Sequence, residues 1–503
     1  MAQRFLSKSK LIAFRQCEKR LWLEVHKPDL RQDSAQAEMR MEAGNELGRL
    51  ARHIYDPAGE GVLIDAQKEG FGPALERSKQ VLKNPVPVFE AGFAGNGGIA
   101  FADVMVPVDQ RADPRWRMIE VKSATSVKDY HREDAAIQAY IARSAGVDLA
   151  NIAVAHIDST WVYDGSGDYC GLLDEVDLTE LAGTRALEVE TWIEDAQEVA
   201  ALPQPPATRT GAHCHDPFDC GFITHCRAGE PQPKYPVDWL PRVQKRALID
   251  YIETKSVTEI ADVPDEYLND VQRRVKEHTL AGTVYFDRKG AARALGAHKL
   301  PALFLDFETA QLVIPRWPGW RPYQQIPFQF SLHKLDRHGA LTQEAFLETS
   351  GSDPSRDFAD ALVAACGSGR EPIFVYNAQF EGGRIAELSD RFPQTAPGLG
   401  GISERLVDLL PIARAHYYHP GQKGSWSIKY VLPAVAPDLS YDKLDGVKDG
   451  GMAMTAYLEA VAEHTTPERK AEIRRQLLEY CKLDTYAMVR LWQVFAGRED
   501  LKL

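Results

Sequence analysis

The stretch Leu305-Asp306-Phe307-Glu308-Thr309 decides how the last third of the chain is read. It closes a short apolar, β-rich run from Ala302 to Phe307, and because side chains alternate faces along a strand, Asp306 and Glu308 leave the same face. Two carboxylates side by side on a rigid element repel each other unless a cation sits between them. A further acid, Glu381, follows a second apolar run (Glu371 to Tyr376) in Val375-Tyr376-Asn377-Ala378-Gln379-Phe380-Glu381, where a strand is expected to turn into a helix at the same sheet edge. The segment Tyr480-Cys481-Lys482-Leu483-Asp484 then places a phenol and a carboxylate at i and i+4 of an amphipathic helix expected over Pro467 to Ala496, so they share a face. Any one of these pairs alone is more often a surface feature. All of them in order, each on a suitable element, make a metal site the stronger reading.

In order and spacing these motifs resemble those of the DEDD, or DnaQ-like, exonucleases, over roughly residues 300 to 496. Asp306 and Glu308 match the first motif, Asn377 to Glu381 the second, and Tyr480 with Asp484 the third in its tyrosine subtype; the histidine subtype has His where this chain has Glu479. Gly424-Ser425-Trp426-Ser427-Ile428-Lys429 looks like the small-residue-then-Lys segment between the second and third motifs. The resemblance implies an RNase H-like fold in which Asp306, Glu308, Glu381 and Asp484 hold two Mg²⁺ or Mn²⁺ ions about 4 Å apart, one generating the attacking hydroxide and the other stabilising the leaving oxygen. Tyr480 then orients the water, since a phenol with a pKa near 10 is a poor base at neutral pH. One departure is visible: the family usually has Asp where this chain has Glu381, whose longer reach changes the geometry.

Nearer the N-terminus, Asp103 lies in one strand-like run and Ile119-Glu120-Val121-Lys122 in the next. Glu120 and Lys122, two residues apart, face the same way, and a hairpin brings Asp103 beside them. An Asp and a Glu can hold one Mg²⁺, while a Lys can position the attacking water and meet charge developing at phosphorus. Alone, an Asp followed later by Glu-x-Lys is common in edge strands. The chain has seven cysteines, and Cys170, Cys366 and Cys481 read as small buried hydrophobes. Cys17 on an early helix, with Cys214, Cys220 and Cys226 after the strands, forms a separate set. This region resembles the RecB-like PD-(D/E)XK nucleases with an iron–sulfur cluster, in which one early and three late cysteines staple the two ends of the nuclease domain. The resemblance implies catalytic roles for Asp103, Glu120, Lys122 and Gln138, a metal ligand at Glu46 where relatives often have His, and a [4Fe–4S] cluster on the four cysteines. The late cysteines are evenly spaced where relatives more often begin with a close pair, and Tyr140 falls two residues after Gln138 where the signature wants four. Four thiolates also suit Zn²⁺, an alternative that His213, His215 and His225 keep open.

Working outward, the fold class is α/β: a PD-(D/E)XK nuclease-like domain over residues 1–230, a helical connector over 231–300 and an RNase H-like domain over 301–503. Helices are expected at Lys8 to Val25, Gln36 to His53 and Glu133 to Ser144, and strands at Gly98 to Val108, Arg117 to Ser123 and Asn151 to Tyr163. A further helix should open at Asp177, with Glu180 completing a capping box. Prolines 203, 205 and 206, and then 231, 233 and 236, frame the late cysteines. The connector's Arg242, Lys245, Arg246, Arg273, Arg274 and Lys276 read first as a solvated helix face, with a nucleic-acid-facing surface as the alternative. Between Arg316 and Phe328, Trp317, Trp320 and Tyr323 alternate with Arg316 and Arg321; they either stack bases of a single strand or pack the sheet edge.

The 503 residues are 44% hydrophobic and 26% charged, with a net charge of −13, which argues against a protein that coats DNA with its whole surface. A cleft of metal-binding carboxylates adds negative charge of its own, so a nuclease is not excluded. The sequence contains no signal-like leader and no apolar run long enough for a bilayer, and a cytoplasmic location without membrane contact is expected. The combined expectation is a metal-dependent nuclease acting on DNA with single-stranded ends, 3′ to 5′ at the C-terminal site, with RNA as the other substrate class. Its rivals are a nucleic-acid-binding scaffold for defence or repair with inactive sites, and a phosphodiesterase of small nucleotides.

Overall fold

Runs rich in Val, Ile, Ala and Phe build two separate mixed sheets, of seven and five strands, in an α/β chain described here by a computed structural model over residues 5–501. The chain divides into two units. One comprises the chain up to Gln232 together with Leu312–Gln324; the other comprises Pro233–Gln311 and the chain from Gln325 onward.

In the first unit the strands are β1 (Leu6–Ser7), β2 (Val62–Leu63), β3 (Val88–Gly95), β4 (Gly98–Pro107), β5 (Trp116–Lys122), β6 (Leu149–Ile157) and β7 (Leu173–Asp177), in the order β2-β3-β4-β5-β6-β7. β1 runs parallel to the first residues of β4. β4 is antiparallel to β3 and β5, whereas β5 and β6 are parallel. The sequence reading does not anticipate β3, although Asn96-Gly97, both at positive φ (44° and 81°), is the two-residue hairpin signal that marks it. The expected early helix is interrupted: α1 (Lys8–Gln16) and α2 (Glu18–His26) meet at Cys17, whose extended backbone (φ −165°, ψ 123°) ends one helix and starts the next. α3 (Ala35–Tyr55) and α4 (Asp129–Ser144) follow, and the small side chains Ala135, Ala136, Ala139 and Ala142 let α4 lie closely on the sheet's core. Asp177 accepts a hydrogen bond from the Thr179 N–H at 2.7 Å, but no capping box forms, and the following helices cover Thr179–Thr184 and Ala186–Ala201. β6 ends at Ile157, short of Tyr163, because the chain turns there: Tyr163 exchanges backbone hydrogen bonds with Trp320 (3.0 Å) and Gly319 (2.7 Å).

That pairing shows where the aromatic loop goes. Ile314 is buried with Leu47, Ile157 and Leu172, Trp320 is buried, and the Tyr323 hydroxyl donates to the Ser123 carbonyl at 2.6 Å. Trp320 and Tyr323 are thus packing residues of the first unit, not of the sheet edge from which the loop departs.

The second unit holds β8 (Tyr285–Phe286), β9 (Ala302–Gln311), β10 (Gln325–Leu335), β11 (Leu341–Leu347), β12 (Ile373–Val375), β13 (Leu406–Asp408) and β14 (Tyr417–Tyr418). Its sheet runs β11-β10-β9-β12-β13, antiparallel among the first three and parallel from β9 to β13, and β8 pairs with β14 apart from it. The alternation on β9 is clean. Leu303, Leu305 and Phe307 are buried on one face with Ile385 and Leu388 of α5 (Ala378–Arg391). Ala302, Phe304 and Ala310 are buried on the other with Leu477, Met488 and Trp492 of α7 (Pro467–Phe495); α6 (Ile428–Val435) lies on that side too. The segment read as a helical connector belongs to this unit from Pro233 onward, because Val237, Leu240, Leu248, Ile260, Val263 and Val275 bury themselves in the core that holds Phe304 and Trp492. Among the described residues no helix is long and apolar enough to cross a membrane.

Candidate functional site

Alternation along β9 puts Asp306 and Glu308 on the face covered by α7, opposite Ser331 and Gln329 of β10. A bulge between Pro327 and Gln329 keeps Gln329, Ser331 and His333 in step with that face. Polar contacts then fix the helix over the strands. Gln329 Nε2 donates to the Leu477 carbonyl at 2.8 Å, and the Thr485 hydroxyl meets Ser331 Oγ and His333 Nδ1, each at 2.8 Å. Burial pushes the His333 pKa down to about 4, so it is a neutral part of this network. With α7 so held, Asp484 and Tyr480 overlie the two acids of β9, and the Cys481 sulfur lies 3.9 Å from Asp306 Oδ2. Cys481 is buried, as read from sequence, but against a carboxylate and not only apolar neighbours.

Glu381 enters on the first turn of α5, directly after β12. The residue before that helix, Asn377, has φ 129°, a conformation that costs a non-glycine residue on the order of 1–3 kcal/mol. Asp408, at the end of β13, helps to hold it there by accepting the Ala378 N–H at 3.0 Å and the Leu410 N–H at 2.9 Å.

Glu308, Glu381 and Asp484 are 8%, 2% and 5% exposed, so water does little to disperse their charge. Asp306, Glu308 and Cys481 bring ligand atoms within 4.8 Å of one another. Buried Glu381 Oε2 and Asp484 Oδ2 have no hydrogen-bond partner. Burial first, then the charges of Asp484, Glu308 and Glu381, hold the Asp306 carboxyl well above its ordinary range; burial and Asp484 do the same to Glu308. Burial pushes Glu381 up to about 8, and Asp484 up to about 6. Asp484 rises less because the hydroxyls of Tyr441 and Tyr480 and the Lys429 charge favour its anion; the Tyr441 O–H donates to Asp484 Oδ1 at 2.6 Å. The Lys429 ammonium lies 5.3 Å from the Tyr480 ring centre and 5.6 Å from that of Tyr441. Burial and the surrounding acids raise both phenols far out of reach of deprotonation, so neither is a base. Tyr441 was not legible in the sequence, since it reaches Asp484 from a one-turn 3₁₀ segment (Tyr441–Lys443) with no motif around it.

In the first unit, Asp103 of β4 accepts the Val121 N–H of β5 at 2.7 Å, beside Glu120. Lys122 donates to Glu120 Oε1 at 2.8 Å and pairs with Asp134 of α4. Lys8, brought in by the β1–α1 junction, pairs with Glu120 at 2.6 Å and Asp134 at 3.3 Å. Burial and the Glu120 charge raise Asp103 to about 8, whereas the two lysines hold Asp134 well below the carboxylate range despite its burial. Gln138, one turn after Asp134, is buried and donates to the Phe101 carbonyl at 2.7 Å. Glu46 stands apart from this group, 44% exposed at its side chain and 3.8 Å from Arg316. Lys8, Asp134 and half-buried Glu90 (φ 55°) are the members the sequence reading missed. The i, i+4 spacing of Asp134 and Gln138 was the available signal for one of them.

Cys17, Cys214, Cys220 and Cys226 line one small cavity, at the junction of α1 and α2. Gln16 Nε2 stitches the early helix to the late loop by donating to the His213 and Phe218 carbonyls, both at 2.7 Å. Trp22, Leu23 and Phe222 pack around Cys214 and Cys220, and burial raises all four thiols. His213 Nε2 is 3.6 Å from the Cys214 sulfur, while His215 pairs with Asp219 at 2.8 Å. Cys366 is buried, but Cys170, read as buried from sequence, is exposed because the loop that carries it lies outside the core.

Residues 303–427 match the model of DUF2779, a domain of unknown function. The match takes in Asp306, Glu308 and Glu381 and stops short of Tyr441, Tyr480 and Asp484. No curated protein matches the chain.

Proposed function

We propose that this protein is a metal-dependent nuclease whose second unit removes nucleotides from the 3′ end of a DNA strand. The observation that carries the reading is the convergence of half-buried Asp306 with buried Glu308, Glu381 and Asp484 from β9, α5 and α7, with two carboxylate oxygens unpartnered and Lys429 a cation facing them. Such a group is either protonated or gathered around a cation. Two Mg²⁺ or Mn²⁺ ions, when bound, supply a hydroxide and stabilise the leaving oxygen. The carboxylates hold them, Tyr480 orients the attacking water, and Tyr441 fixes the rotamer of Asp484. The central acid-bearing strand, with two antiparallel neighbours on one side and two parallel ones on the other, is in keeping with the RNase H-like fold that the motifs imply.

Electrostatics rank the two candidate sites. In the first unit Lys8 and Lys122 already balance Glu120 and Asp134, so that pocket has less need of a cation than the carboxylates of the second. A second RecB-like active site at Asp103, Glu120, Lys122 and Gln138 therefore requires the metal to displace Lys8. The same ion pairs favour, for this unit, the alternative of a nucleic-acid-binding module.

For the four cysteines we favour a [4Fe–4S] cluster over zinc. The four thiols line one cavity, and four thiolates by themselves suit either group; the resemblance of the one-early, three-late arrangement to the RecB-like nucleases with an iron–sulfur cluster is what favours the cluster.

End-labelled single strands of DNA and RNA, incubated with Mn²⁺, test the central reading. Asp306→Asn and Asp484→Asn should each lower mononucleotide release by several orders of magnitude with little change in folding, and Tyr480→Phe by about 10 to 1000-fold. Glu381→Asp should weaken metal binding if the site is built for the longer acid. Release that survives both Asn variants contradicts the assignment.

Proton linkage gives a second test. Each carboxylate has a folded-state pKa above its unfolded value, so the metal-free fold holds extra protons and loses stability as pH rises from about 4 towards about 8. Mn²⁺ takes the protons' place, and its increment in Tm should grow from about pH 5 to about pH 8. Asp306→Asn should flatten that growth, isolating it from the like-signed contribution of Asp103. A pH-independent increment would count against the cation reading.

Anaerobically purified protein should be brown, with iron and sulfide in cluster proportion, and Cys17→Ala should destabilise the first unit because its ligands join distant parts of the chain. A colourless protein with stoichiometric zinc would replace the cluster by zinc.

A further inference from the structure

A cleft of about 910 Å³ opens in the second unit beside the carboxylate site. One wall is Tyr376 and Asn377, the other Trp426, Ser427 and Ile428. Both walls continue into the candidate centre: Asn377 begins the helix that carries Glu381 about 6 Å farther along its axis, and Ile428 precedes Lys429. The Tyr376 O–H ties the walls together by donating to the Trp426 carbonyl at 2.8 Å.

The mouth is basic. Arg242, Arg414 and Lys423 line it, with Asp238 and Asp270 as the opposing acids, and Asp270 is engaged by Arg273 at 2.5 Å. Among the described residues no carboxylate lies within salt-bridge distance of Arg242, Arg414 or Lys423. Burial and the Arg242 charge hold the Arg414 guanidinium below its ordinary range, with Tyr376 and the Asp408 carboxylate only partly opposing them, so two like charges lie close together. The backbone is shaped to present them: Arg242 (φ 49°) and Lys423 (φ 50°) are left-handed. At Gly424 a Cβ would lie 1.6 Å from the Trp239 carbonyl oxygen, a contact only glycine permits. The segment from which Arg242 comes belongs to the core of this unit through Leu240 and Leu248, so its backbone is anchored in the same unit as Arg414.

We propose that this cleft binds the backbone of a single-stranded nucleic acid, with Arg242 and Arg414 gripping a phosphodiester close to the one held at the carboxylates. Guanidinium groups suit this role because their forked donors match phosphate oxygens in pairs. The assignment of the neighbouring phosphate rests on the nuclease reading; the binding itself does not.

The test uses the full chain carrying Asp306→Asn, so that strands stay intact, and follows fluorescent oligothymidylate and oligouridylate by anisotropy over a range of NaCl concentrations. Adding Arg242→Ala and Arg414→Ala should weaken binding at least about 10-fold and lower the log–log salt slope by about 1.4, two contacts at about 0.7 each for single strands. Lys423→Ala should lower the slope by about 0.7 and Arg414→Lys should leave it unchanged, which separates lost charge from lost folding. Unchanged affinity and slope in the double arginine variant would overturn the proposal. So would competition by inorganic phosphate or a dinucleotide as effective as that by an unlabelled strand, which would make the cleft a small-anion site. Arginine-dependent binding by a chain that, with Asp306 restored, releases no mononucleotide would support the cleft while the nuclease reading fell.

Discussion

Mutual repulsion among buried carboxylates is the constraint around which the second unit is organised. A strand that alternates cleanly places Leu303, Leu305 and Phe307 in one core and leaves Asp306 and Glu308 facing α7, where Asp484 adds a third charge and Glu381 a fourth from the other side of the sheet edge. Nothing in an apolar core stabilises that arrangement. Its geometry is instead enforced from outside, by the Gln329, Ser331 and His333 contacts to α7, by the strained Asn377 backbone, and by Asp408 holding the start of α5. Strain and polar stitching that converge on an unfavourable charge cluster mark a place where stability gives way to function.

The first unit solves a similar problem differently. Its acids also sit on adjacent strands and a covering helix, yet two lysines lie among them, one delivered by a two-residue strand at the start of the described chain. The contrast between a balanced and an unbalanced cluster is what separates the roles proposed for the two units. A further asymmetry lies in the chain path: Leu312–Gln324 leaves the acid-bearing strand, is built into the first unit through Ile314, Trp320 and Tyr323, and returns as β10.

Much of this was legible in the sequence because it depends on local periodicity. β9 with its paired acids, the 29-residue α7, the strands around Asp103 and Glu120, and the mixed α/β class all follow from alternation or helical spacing. What was not legible depends on tertiary closure. Lys8, Glu90 and Tyr441 carry no motif and reach their sites only through the sheet order or a one-turn segment, and Asp134 left only its i, i+4 spacing to Gln138 as a signal. The break at Cys17 was hidden by good helix formers on both sides, and the apolar residues of 231–300 gave no hint of which core they would join. The aromatic loop could be read as packing or as stacking, and only its partners decide between them.

Diffraction from crystals soaked in Mn²⁺, recorded at the manganese edge, addresses the central claim most directly. Two anomalous peaks about 4 Å apart, bounded by Asp306, Glu308, Glu381 and Asp484, are the predicted result. Absence of manganese from these carboxylates at saturating concentration, or its appearance only between Asp103 and Glu120, would contradict the account.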